Sequence, residues 1–94
     1  MHVQANQLIE AIKENARQVW TEPEDKEFIE DLLYVKELPN GSTEVSDNFE
    51  KFFDIIYRVD KEGNWYIRRM YGERGEDPYT FEKAMADASI MYTG

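Results

Sequence analysis

The sequence predicts an α+β fold in a single compact domain over residues 1–94. It reads as an N-terminal amphipathic helix with a short second helix, a central antiparallel β-hairpin or small sheet, and a C-terminal helix packed on one sheet face. Three observations carry this expectation. Apolar residues recur at helical spacing near both ends of the chain. Two β-rich runs flank a polar, glycine-containing connection in the middle. Finally, 41% hydrophobic residues, 14% of the chain being aromatic, supply a core despite a charged fraction of 33%, which separates this chain from a disordered acidic tail.

The first helix is expected over Val3 to Trp20. Ala5, Leu8, Ile9, Ile12, Ala16, Val19 and Trp20 form one stripe, and Gln7, Glu10, Lys13, Glu14, Arg17 and Gln18 take the other side. Thr21-Glu22-Pro23-Glu24 then resembles a new helix start, with Thr21 as cap and Glu24 three residues later as in a capping box. Phe28, Ile29, Leu32 and Leu33 continue at helical spacing, so a short helix is expected over about 24–34, then a loop or short strand. Asn40-Gly41 is the dipeptide of a tight type I′ hairpin. Residues 33–48 are otherwise ambiguous, because Leu33-Tyr34-Val35-Lys36-Glu37-Leu38 suits a strand as well as a helix end.

The central hairpin joins 53–59 to 65–71 through Asp60-Lys61-Glu62-Gly63-Asn64, with Gly63 at the left-handed position of a bulged turn. Pairing Val59 with Trp65 sets Tyr57 opposite Ile67, Ile55 opposite Arg69 and Phe53 opposite Tyr71. Because strand side chains alternate, Phe53, Ile55, Tyr57, Val59, Trp65, Ile67 and Tyr71 are expected on the core face. The last helix is expected to start with Asp77 as cap and Pro78 in the first turn, its stripe being Phe81, Ala84, Met85, Ala88 and Met91.

Enzyme chemistry is not expected. The chain has no cysteine, which removes disulfides, thiolate metal sites and cysteine nucleophiles. Its one histidine, His2, is expected to be a solvated terminal residue, leaving no catalytic triad or multi-histidine metal site. Asp60-x-Glu62-x-Asn64 starts like a calcium loop, but Trp65 stands where glycine is needed and Tyr71 where a bidentate glutamate belongs. It reads as a polar turn. Gly72-Glu73-Arg74-Gly75 lies among carboxylates and lacks the lysine of a phosphate cradle, so it reads as a connection. Twenty acids make some carboxylate pair inevitable, and none is singled out. Hence no cofactor and no metal are expected.

Net charge is −9, concentrated in residues 1–50, which hold twelve acids and four bases. Phosphate backbones and anionic lipid repel such a chain, so neither nucleic acid nor membrane is the expected partner. No apolar run approaches the ~20 residues of a membrane span and no signal-like start is present, so a cytoplasmic location is expected. The expected partner is a protein, and one of basic character suits this charge.

Two surfaces fit that expectation. One is the second face of the hairpin, where Ile56, Arg58, Tyr66, Arg68 and Met70, with Phe52 and Asp54, interleave apolar groups and arginine as interfaces do. The other is the carboxylate row Glu24, Glu27, Glu30 and Asp31, which could imitate a phosphate track and occupy a basic nucleic-acid-binding surface. The leading expectation is therefore a non-enzymatic protein-binding module, an inhibitor or adaptor; size and charge alone are like those of inhibitors encoded by phages and mobile elements. The alternatives are a small-molecule-binding domain with a pocket lined by Tyr57, Trp65, Ile67 and Phe81, and a structural homo-oligomer.

Overall fold

A computed structural model describes residues 1–49, 53–71 and 75–92 and has the α+β architecture expected. In chain order the elements are α1 (Val3–Val19), α2 (Asp25–Glu30), β1 (Leu33–Glu37), β2 (Thr43–Asp47), β3 (Ile55–Val59), β4 (Trp65–Arg69), β5 (Asp77–Tyr79) and α3 (Phe81–Ala88). The strands form one antiparallel meander in the order β1-β2-β3-β4-β5, so the expected hairpin is the centre of a five-stranded sheet. Among the described residues, no helix is long and apolar enough to cross a membrane.

α1 buries the predicted stripe of Ala5, Leu8, Ile9, Ile12 and Ala16. Its end differs: Val19 is 40% exposed, while Trp20 leaves the helix and packs on Phe28 and Tyr92 at 5.3 and 5.1 Å between ring centroids. His2 is not a solvated end. It is half-buried as the helix cap, its Nδ1 accepting the Gln4 N–H at 3.1 Å. Asn15, off the predicted stripe, is buried as well.

α2 is shorter than expected. It ends at Glu30, and Leu33 already belongs to β1, because pairing with β2 outcompetes a third helical turn. Glu24 is its cap and no side chain caps it; the expected Thr21 capping box gives way to Asp25, whose Oδ2 accepts the Glu22 N–H at 3.0 Å.

The β1–β2 and β3–β4 turns share one geometry. Gly63 donates to the Asp60 carbonyl and Asp60 to the Asn64 carbonyl, each at 3.0 Å, and Gly63 has φ 90°, as predicted. Leu38-Pro39-Asn40-Gly41-Ser42 repeats those bonds at 3.0 and 2.8 Å with Gly41 at φ 87°. A type I turn with a bulged glycine thus replaces the type I′ turn expected at Asn40-Gly41. The Asp60 carboxylate holds the N–H groups of Glu62 and Asn64 at 3.0 and 2.9 Å, and these hydrogen bonds lower its pKa.

The register Val59↔Trp65, Tyr57↔Ile67 and Ile55↔Arg69 is the one predicted. Tyr71, expected in the core, is instead 65% exposed, since the ladder stops at Arg69. The C-terminal helix also begins later. Asp77-Pro78-Tyr79 is strand β5 against β4, and Thr80 is the cap, its Oγ1 accepting the Lys83 N–H at 3.1 Å. Met91 lies past the helix end.

All three helices pack on one sheet face. Leu8 and Ile12 of α1, Ile29 of α2 and Ala84 and Ala88 of α3 share a core with Val45, Tyr57, Val59 and Trp65. Two tyrosine hydroxyls are tethered at its margin: Asp87 Oδ2 accepts from Tyr57 and Tyr79 at 2.8 and 2.5 Å, tying α3 to two strands. Burial, reinforced by that carboxylate, raises both tyrosine pKa values, that of Tyr79 to about 12.

Candidate functional site

Alternation leaves the opposite sheet face to Tyr34 and Lys36 of β1, Glu44 and Ser46 of β2, Ile56 and Arg58 of β3, and Tyr66 and Arg68 of β4. Met70 follows directly beyond β4. None of these residues belongs to the core cluster, and among the described residues no helix covers them. The five hairpin-face residues expected to meet a partner therefore do lie together on an uncovered surface. Phe52, expected beside them, lies outside the described residues, as do Gly72, Glu73 and Arg74 of the connection before β5. Asp54 does not join the patch, because its carboxylate pairs with Arg69 at 2.9 Å.

The face divides into a charged half and an apolar half. In the charged half, Arg58 Nε and Nη2 donate to the two Glu76 oxygens at 2.7 and 2.8 Å, and Nη1 donates to Ser42 Oγ at 2.8 Å. Its guanidinium lies 4.5 Å from the Tyr66 ring centroid. This forked pairing raises the Arg58 pKa and lowers that of Glu76, in each case chiefly through their mutual hydrogen bonds. Arg68 Nη2 donates to Glu44 Oε2 at 2.8 Å. Both predicted arginines are thus already engaged with carboxylates of their own chain.

In the apolar half, Tyr34, Ile56, Met70 and Tyr71 line an open recess of about 360 Å³ whose polar rim is Ser46, Asp47 and Asn48. Tyr34 is 53% exposed there. Sequence reasoning placed Ile56 and Met70 here and missed Tyr34, because β1 was unresolved between helix and strand. The signal was present in Tyr34-x-Lys36 and Glu44-x-Ser46, which alternate as one face of a hairpin does.

The acidic row is exposed at all four positions, Glu24, Glu27, Glu30 and Asp31, but on a helix of only six residues. Glu30 approaches Lys13 at 3.9 Å, and the Asp31 carbonyl accepts from the Asn48 side chain at 2.8 Å. Of the residues expected to line a small-molecule pocket, Tyr57 and Trp65 are packed in the core. Trp65 and Phe81 also border a recess of about 470 Å³ at the sheet end, where Trp65 Nε1 donates to Gln4 Oε1 at 2.9 Å. Ile67 does not border it.

Comparison with known protein families, with curated proteins and with solved structures found no match to this chain.

Proposed function

We propose that this chain is a non-enzymatic protein-binding module that engages its partner through the uncovered sheet face, with the Tyr34–Ile56–Met70 recess as the anchoring point. One observation carries the reading: a sheet whose other face is closed by three helices leaves aromatic, aliphatic and thioether side chains in a recess open to solvent. Such a face in water is ordinarily polar, and apolar anchors within a polar rim are the anatomy of an interface. The arginines expected to bind are recast as a frame. Arg58, held by Glu76, Ser42 and Tyr66, orders the surface, while Arg68 on Glu44 can exchange that carboxylate for one on a partner. The net charge of −9 favours a basic partner through long-range attraction, to which the exposed row on α2 contributes.

Affinity capture from source lysate with the wild-type chain and with Met70→Glu tests the reading. A stoichiometric protein retained by wild type and lost with Met70→Glu, at an unchanged thermal midpoint, is the expected result. Equal retention by a folded Met70→Glu variant refutes the recess as anchor. Capture of nothing above background refutes the module.

A further inference from the structure

We propose that β1 is an association edge whose occupant is a second copy of this chain, paired antiparallel so that two five-stranded sheets become one. The two edges of the sheet differ in which backbone groups they offer. Asn48 N–H donates to the Leu32 carbonyl at 3.0 Å and Leu38 N–H to the Ser42 carbonyl at 2.8 Å, with one-for-one register between them. Even-numbered residues of this strand therefore bond to β2, and Leu33, Val35 and Glu37 turn their N–H and C=O groups outward. Among the described residues no hydrogen bond reaches those groups, and β2 is the only extensive neighbour of β1.

At the opposite edge the same parity argument gives the reverse answer. Asp60 N–H to the Asn64 carbonyl and Met70 N–H to the Asp54 carbonyl turn the even residues of β4 toward β3. Trp65 and Ile67 then bond to Tyr79 and Asp77, which leaves Pro78 as the outward residue of β5. Proline has no N–H to offer, and the strand is three residues long. One edge is sealed in the manner natural sheets use; the other is five residues long and holds no proline.

The β1 sequence is complementary to itself in one register. Pairing Val35 with Val35 of the second copy brings all five residues into the ladder, with Leu33 opposite Glu37 and about six main-chain hydrogen bonds. Tyr34 then faces Lys36 of the second copy, a cation against an aromatic ring, and Lys36 has no ion-pair partner of its own among the described residues. Moving the pairing so that Lys36 meets Lys36 opposes like charges. Moving it the other way stacks Tyr34 on Tyr34 and leaves Glu37 outside β1 pairing. Charge pairing thus selects the register with the longest ladder.

Sedimentation velocity from micromolar to millimolar protein tests the proposal. Wild type is expected to pass from monomer to dimer. Val35→Pro removes one outward N–H without touching a bond to β2, so it should remain monomeric with an unchanged circular dichroism spectrum. Val35→Cys gives the cysteine-free chain one thiol on the two-fold axis, where opposed Cα atoms about 5.5 Å apart lie within disulfide reach. It should cross-link on oxidation much faster than Ile90→Cys, a position exposed beyond α3. A wild type monomeric at millimolar concentration, or a dimer persisting in folded Val35→Pro, overturns the proposal. If Val35→Pro fails to fold, cross-linking decides: Val35→Cys reacting no faster than Ile90→Cys overturns it equally. The inference stands apart from the open-face reading, since loss of a heterologous partner would leave the dimer intact.

Discussion

The two faces of the sheet are built from the same strands yet solve opposite problems. On the helix face, Val45, Tyr57, Val59 and Trp65 are sealed under α1, α2 and α3, and Asp87 ties down the Tyr57 and Tyr79 hydroxyls. On the uncovered face, Glu44, Arg58, Arg68 and Glu76 pair at the water boundary beside the Tyr34–Ile56–Met70 recess. The buried apolar volume thus lies mainly on one face, and the other is held by pairs at its boundary with water. A buried hydroxyl that loses its acceptor is stranded, whereas a boundary charge that loses its partner is taken up by solvent.

That contrast breaks if substitutions on the two faces cost the same. The largest effect is expected from Ile12→Ala, which empties fully buried volume above the sheet and should destabilise by about 2–5 kcal/mol in denaturant unfolding. Asp87→Ala comes next, at about 1–3 kcal/mol, because it strands the buried Tyr57 hydroxyl, whereas the half-exposed Tyr79 hydroxyl can turn to water. Tyr79 sharpens this point. Its folded pKa of about 12 lies above the ordinary ~10, so its contribution is full below pH ~10 and is lost as pH rises toward the folded value. Tyr79→Phe should flatten that alkaline decline in a pH series of unfolding curves.

Glu76→Gln on the uncovered face should cost about 0–1 kcal/mol at neutral pH. Because Arg58 depresses the Glu76 pKa, this contribution is present above the ordinary carboxylate range and is lost as pH falls through the folded value. Glu76→Gln should therefore reduce the acid slope of stability and leave the alkaline limb alone. The smallest effect is expected from Ile56→Ser, within about 0.5 kcal/mol, although it removes an anchor of the proposed interface. A thermal midpoint that drops as far for Ile56→Ser as for Ile12→Ala would show that both faces are core.

Local signals were sufficient wherever one short segment decides its own geometry. The stripe from Ala5 to Ala16 reports a period that only a helix satisfies, and Gly63, at φ 90°, sets the bulged turn from which the β3–β4 register counts outward. The five hairpin residues of the uncovered face were legible for the same reason, because register and alternation follow from that turn. Nothing in the sequence, however, announces that Arg58 will meet Glu76, eighteen positions away.

Tertiary contacts decided the remainder. Leu32-Leu33 fits a helical stripe as well as a strand, and the tie was broken by β2, whose Val45 lies opposite Val35. Asp77-Pro78 has the composition of a helix start, and becomes a strand because Ile67 and Trp65 offer bonds that Asp77 and Tyr79 accept into a ladder. Sequence alone determined the periodic elements, the central register and the acidic, cysteine-free chemistry, since each is a property of neighbouring residues. Which sheet face the helices cover, which carboxylate holds each arginine and which edge stays open were settled only by packing, because those energies arise between segments that the chain brings together from afar.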